Sequence, residues 1–134
     1  MTEMLTVDAL RPEDAAEMLR IARSHGMQHF HYSPGAHGAV VREGVVLRAV
    51  MLLRETEAGF VVDELWPEVS RLGLYAMGLL ADWAEALVQR LATERERKLN
   101  LAGIVRNDNP THRAALLKRG YEPIADVLAK DFTP

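Results

Sequence analysis

Residues 70–97 constrain the fold more than any other part of the chain, because they read as one long helix between two apolar strand-like segments. Leu72, Ala76, Leu80, Trp83, Leu87 and Leu91 recur at helical spacing on one stripe, while Asp82, Glu85, Gln89 and Glu94 fall elsewhere. The flanking segments, residues 60–66 and 99–105, are short apolar runs of strand length. A helix of this length returns the chain to where it began, so the second strand can lie parallel to the first in a right-handed crossover.

The other elements follow from the same periodicities. Leu5, Thr6 and Val7 make a short strand. Pro12, Glu13 and Asp14 open a helix, with Ala15, Met18, Leu19 and Ala22 at helical spacing and Gly26 as its stop. Residues 26–38 read as irregular. Residues 39–42, a Glu43-Gly44 turn, residues 45–54, a polar turn over 55–59 and residues 60–66 form a three-stranded meander. After the strand at 99–105, Asn109 caps a short helix with Pro110 at its first position, and Gly120 ends it. Residues 121–132 are long enough for one strand or a broken pair. The fold class expected is α/β, a single domain over residues 1–134, with a mixed central sheet of six or seven strands and helices on both faces.

Composition removes several classes of chemistry. There is no cysteine among the 134 residues, which excludes a disulfide framework, a thiolate metal site and a cysteine nucleophile. Sixteen basic against nineteen acidic residues leave a net charge of −3, so bulk charge gives no case for nucleic acid. No apolar run reaches the length of a membrane span, and the N-terminal residues do not read as a signal peptide. The expected location is the cytoplasm.

Two clusters stand out. His25, His29, His31 and His37 crowd one stretch, but their spacing fits no metal motif, and the expectation is a polar loop with no metal. Arg90, Arg95, Arg97 and Lys98 alternate with Glu94 and Glu96, a pattern expected of a solvated helix end. Arg113, Lys118 and Arg119 would extend this basic surface if the two helices lie close.

The order of elements resembles the GNAT superfamily of acyl-CoA-dependent N-acetyltransferases, over nearly the whole chain. The anchor is a strand followed by Asn109-Pro110-Thr111-His112, a short helix and Lys118-Arg119-Gly120-Tyr121. Asn109, Thr111, His112, Leu116 and Gly120 also match the spacing of GNAT-like proteins of short-tailed phages, including an internal virion protein. The resemblance implies acetyl-CoA as cosubstrate and an amine acceptor that attacks the thioester directly. It implies pantetheine pairing to the backbone of Leu65 and Trp66, with Asn109 on the CoA side.

Family members bind pyrophosphate on backbone amides at a helix N-terminus, in a loop of glutamine or arginine, two residues, glycine, one residue, then glycine or alanine. With Pro67-Glu68 as the family's Pro-Glu pair, that loop falls on Ser70, Arg71, Leu72, Gly73, Leu74 and Tyr75. Gly73 is in register, Ser70 stands in place of glutamine or arginine, and Tyr75 in place of a small residue. Arg71 is a bidentate donor suited to phosphate.

The tyrosine that many members use to protonate the departing thiolate corresponds to Leu116 here, and Tyr121 reads as a packing residue. The base that relieves the amine of its proton would be Asp63 or Glu64, with Glu64 preferred; adjacent strand residues face opposite sides. A histidine-bearing lip over the acceptor is a further implication. Three readings stay open: an acetyltransferase; a GNAT-derived phage virion component or binding module without catalysis; and a metal or pH-sensing module on the histidine stretch. A homodimer or a virion partner belongs to the same set of expectations.

Overall fold

The computed structural model describes residues 4–26, 37–67, 70–104, 110–124 and 127–134. Its elements are β1 (Leu5–Ala9), α1 (Ala15–Ser24), β2 (His37–Glu43), β3 (Val46–Glu55), β4 (Gly59–Pro67), α2 (Arg71–Arg95), β5 (Leu99–Ile104), α3 (Pro110–Lys118), β6 (Glu122–Ile124) and β7 (Val127–Phe132). The strands form one mixed sheet of seven in the order β1-β2-β3-β4-β5-β7-β6, the α/β class expected from the chain.

Two compact units divide the chain, one of Met1–Arg54 with Asp63–Ala84 and one of Glu55–Val62 with Glu85–Pro134. In the first, β1 pairs antiparallel with β2, and β2 with β3. The β2–β3 register slips between Val41, opposite Ala49, and Arg42, opposite Leu47. Arg48 is therefore the extra residue of a bulge, and its Nη2 lies 2.7 Å from Oε1 of Glu43. Val40, Leu47 and Val50 of the sheet join Met18 and Ile21 of α1 in one cluster, with Leu10 packed against it. Ala39, Val41, Ala49 and Met51 are buried as well, so β2 and β3 are covered on both faces.

Among the described residues of this unit one charged side chain is buried. Pro12–Asp14 form a 3-10 turn rather than the first turn of α1. Asp14, 6% exposed, accepts from the Arg11 backbone N–H at 2.9 Å and takes both ends of the Arg42 guanidinium at 2.8 and 2.7 Å. The hydrogen bond from Arg42 dominates and holds the Asp14 carboxyl below the usual carboxylate range, against the opposing effect of burial. The expected dipole-facing acid is thus the anchor that ties the entry of α1 to β2.

The second unit holds the parallel step. Gly59, Phe60 and Val61 of β4 run beside Asn100, Leu101 and Ala102 of β5. β5 pairs antiparallel with β7 from Leu99 opposite Phe132 to Ile104 opposite Val127. Residues 121–132 resolve as a broken pair, β6 against β7. Phe60, Leu99, Leu101, Leu128 and Phe132 supply the apolar interior.

The long helix differs from its expectation in two respects. It ends at Arg95, not Arg97, because Glu96 turns left-handed at φ 52° and the Arg97 N–H closes back on the Ala92 carbonyl at 3.1 Å. Its buried seam is Gly73, Ala76, Leu80, Ala84, Val88 and Ala92, whereas Leu72, Trp83, Leu87 and Leu91 are half-buried. The expected stripe thus keeps only Ala76 and Leu80 at its buried centre. Among the described residues, glycine and alanine fill four of the six buried positions, with Leu80 and Val88 between them, and bulky residues flank the seam.

Candidate functional site

The end of β4 and the entry of α2 both lie in the first unit. Ser70 precedes the first helical residue, Arg71, and its Oγ accepts a hydrogen bond from the Gly73 N–H at 3.1 Å. That is an N-cap, serving one of the amides a helix leaves unpartnered at its start. Ser70 and Arg71 are exposed, Leu72 is half-buried and Gly73 is buried. Serine at the position where the resemblance implies glutamine or arginine thus acts on the helix itself.

Tyr75, one turn further on, is 65% exposed. An aromatic ring so open to solvent is no core residue. Arg71 provides charge there without a buried environment to strengthen it.

The other predicted positions distribute unevenly. Leu65 is half-buried in β4. Glu64 and Trp66 belong to β4 by their backbone, and their side chains lie outside the described residues. Asp63 is engaged, its Oδ1 lying 3.4 Å from Nε of Arg54. Asn109 lies outside the described residues, as do His29 and His31. His37 opens β2, two residues before the strand start expected from the sequence. Among the described residues no three His, Asp or Glu side chains gather as metal ligands, and no helix is long and apolar enough to cross a membrane.

His25 does something the sequence did not signal. Its Nε2–H donates to the carbonyl of Pro67, the last residue of β4. Its own backbone is fixed by the helix end, with the His25 N–H on the Ala22 carbonyl at 3.1 Å and Gly26 left-handed at φ 81°. The signal available was a histidine beside a helix-ending glycine, which marks a cap but not a partner 42 residues away.

In the second unit the basic residues are largely spoken for. Arg95 pairs with Glu55, Arg97 donates to the Glu57 carbonyl at 2.8 Å, and Lys98 pairs with Asp131 at 3.1 Å. Arg119 does not extend a basic surface, because its Nη1 donates to Glu85 at 3.0 Å. The Tyr121 hydroxyl donates to the same carboxylate oxygen at 3.2 Å, and the Lys130 ammonium lies 3.7 Å from the other. Burial first, then the Glu85 charge, push the Tyr121 phenol well above its ordinary value. Tyr121 is 7% exposed, the packing residue expected, with its proton held on Glu85. Leu116 and His112 lie one turn apart on α3, and burial holds the His112 imidazole below its usual value.

Sheet order, the parallel β4–β5 step and the capped helix between them make this the fold of the GNAT acetyltransferases. Compared by sequence, the chain matches no protein-family model and no curated protein. Compared by structure, it is similar to the ribosomal-protein-S18-alanine N-acetyltransferase of Escherichia coli, with a TM-score of 0.79 at 14% identity over 98% of this chain and 96% of the other. The PaiA N-acetyltransferase of Thermoplasma acidophilum, in complex with coenzyme A, matches with a TM-score of 0.71 at 11% identity over 98% and 99%. A GNAT family acetyltransferase of Brucella melitensis, in complex with acetyl-CoA, matches with 0.69 at 13% over 98% and 90%.

Proposed function

We propose that the protein is an acyl-CoA-dependent N-acetyltransferase, with residues 1–134 acting as one domain. The observation that carries the reading is the Ser70–Gly73 cap, which sets backbone amides at the start of α2 directly downstream of β4. Two solved structures of this fold hold acetyl-CoA or coenzyme A. The donor set suits a pyrophosphate: amides at a helix start, a buried glycine at Gly73 and the exposed Arg71 guanidinium.

Acetyl-CoA supplies an activated acetyl group as a thioester. The residues Ser70, Arg71, Leu72 and Gly73 would hold its phosphates, with the Ser70 hydroxyl yielding the Gly73 amide to a phosphate oxygen. The backbone of Leu65 and Trp66 would hold the pantetheine amides, and Asn109 would lie on the CoA side. Glu64 would take the proton from the acceptor amine as its nitrogen forms the new bond to the acetyl carbon. The departing thiolate would carry off the electrons of the carbon–sulfur bond and would need a proton from a group other than Leu116, which has none, or Tyr121, whose hydroxyl donates to Glu85. Those last two observations also favour a second reading, a binding module that retains acetyl-CoA and performs no transfer.

Calorimetric titration with acetyl-CoA, on the wild type and on Tyr75→Ala, tests the first half. A panel of amines with thiol release as the readout tests the second, and the chain contributes no background because it has no cysteine. Binding with thiol release supports the enzyme; binding with no release across the panel supports the binding module. No binding by the wild type, with binding by Tyr75→Ala, assigns Tyr75 as a lid that blocks the phosphates. No binding by either removes acetyl-CoA from the account.

A further inference from the structure

The structure assigns His25 a positioning role: its ring N–H, held on the carbonyl of Pro67, fixes the exit of β4 and thereby the start of α2. The role rests on the acyl-CoA reading above where it concerns ligand affinity. Three observations converge on it. His25 itself cannot drift, because it sits at the end of α1 between a backbone bond to Ala22 and the left-handed Gly26. Its Nε2 reaches the last residue of the strand that carries Glu64, Leu65 and Trp66. And only two residues lie between Pro67 and Ser70, whose hydroxyl caps the Gly73 amide.

A carbonyl accepts and does not donate, so the bond specifies the tautomer with hydrogen on Nε2. α1 is itself anchored at its other end, where Asp14 takes the Arg42 guanidinium of β2. The helix thus spans from β2 to the exit of β4 as a strut with a polar fastening at each end. Loss of the His25 fastening frees the strand exit while leaving the apolar contacts of Met18 and Ile21 in place. The consequence is a helix start whose amides are less well ordered for an anion, which is lost preorganisation, not a lost contact.

The test compares His25→Leu, which keeps bulk and removes the donor, with His25→Gln, whose amide N–H has a similar reach. Two readouts are taken on both variants and the wild type: the calorimetric Kd for acetyl-CoA and the hydrogen-exchange rate of the Gly73 amide. In His25→Leu the Kd is expected to rise about five- to tenfold, the scale of one hydrogen bond, and Gly73 exchange to quicken by a similar factor. His25→Gln is expected to stay within about twofold of wild type in both. The urea midpoint is expected to be the same in all three.

Wild-type exchange at Gly73 in His25→Leu, or equal loss in the leucine and glutamine variants, would overturn the assignment. If the wild type itself binds no acetyl-CoA, the cofactor reading fails, and the exchange rate alone decides the role of His25.

Discussion

Replacing Gly59 with alanine would set a methyl carbon 2.0 Å from the Asn100 carbonyl oxygen and 2.4 Å from the Asn100 nitrogen. Both are backbone atoms, so no side-chain rotation relieves the clash. Gly59 also holds φ 152°, a conformation L side chains rarely adopt, and such backbone strain costs about 1–3 kcal/mol. Overpacking against neighbours that cannot move aside adds about 1–3 kcal/mol. The segment is pinned on both sides, with the Thr56 N–H on the Gly59 carbonyl and the Asn100 N–H on the Ala58 carbonyl, each at 2.8 Å. Relief by a backbone shift would break at least one of these bonds, at about 1 kcal/mol.

The expected loss is therefore about 3–7 kcal/mol, a large part of the 5–15 kcal/mol that a domain of this size commonly has. Urea unfolding followed by circular dichroism measures it. Gly103→Ala is the control, since a Cβ there meets only the Val62 side chain at 3.6 Å, an ordinary contact. A loss at Gly59 below about 1 kcal/mol, the scale of an unstrained glycine-to-alanine change, would refute the claim that this glycine is demanded by the close approach of β4 to β5.

Asp14→Asn takes the buried carboxylate away from the Arg42 guanidinium, leaving Asp8, whose Oδ2 lies 3.5 Å from Arg42 Nε, as its acidic neighbour, and should cost about 1.5–3 kcal/mol in the same assay. Because Arg42 holds the Asp14 carboxyl below its unfolded value, the pair's contribution is complete above about pH 4 and is lost as pH falls through the lowered value; the variant should lack that acid limb. The depressed His112 imidazole works in a different window: below about pH 6.5 the unfolded chain takes up a proton that the folded state resists, so stability falls with pH there, and His112→Gln should flatten that slope. Tyr121→Phe deletes one donor to Glu85 and should cost about 1 kcal/mol, whereas Glu85→Leu removes the carboxylate that Arg119, Tyr121 and Lys130 share and should cost more, as read by thermal unfolding.

The order of strands and helices was legible because each element carries its own periodicity and its own stop, such as Gly26 after α1 and Gly120 after α3. The break within residues 121–132 was legible only as an alternative, since a three-residue strand like β6 has too few positions to show alternation. The seam of α2 was misjudged for a physical reason. Periodicity weights large apolar residues, while four of the six buried positions of this helix among the described residues are glycine or alanine, with Leu80 and Val88 between them. Partners distant in sequence were not legible at all. Nothing in the chain says that Arg42, at the end of the strand segment 39–42, is received by Asp14. Of the candidate site, Gly73 was singled out only through the family resemblance, while the capping role of Ser70 became visible only once the helix start was located at Arg71.

The division of the chain has a consequence for its synthesis. Each compact unit is assembled from two separate stretches, with residues 55–62 of the second unit preceding residues 63–84 of the first. No single cut can therefore release either unit whole. On the ribosome the first unit has all its parts only when Ala84 has emerged, and by then the leading strand segment of the second is already out and waiting for Leu99 and beyond. That segment includes Phe60, buried in the finished protein, so part of its cover is absent until its parallel neighbour β5 is made.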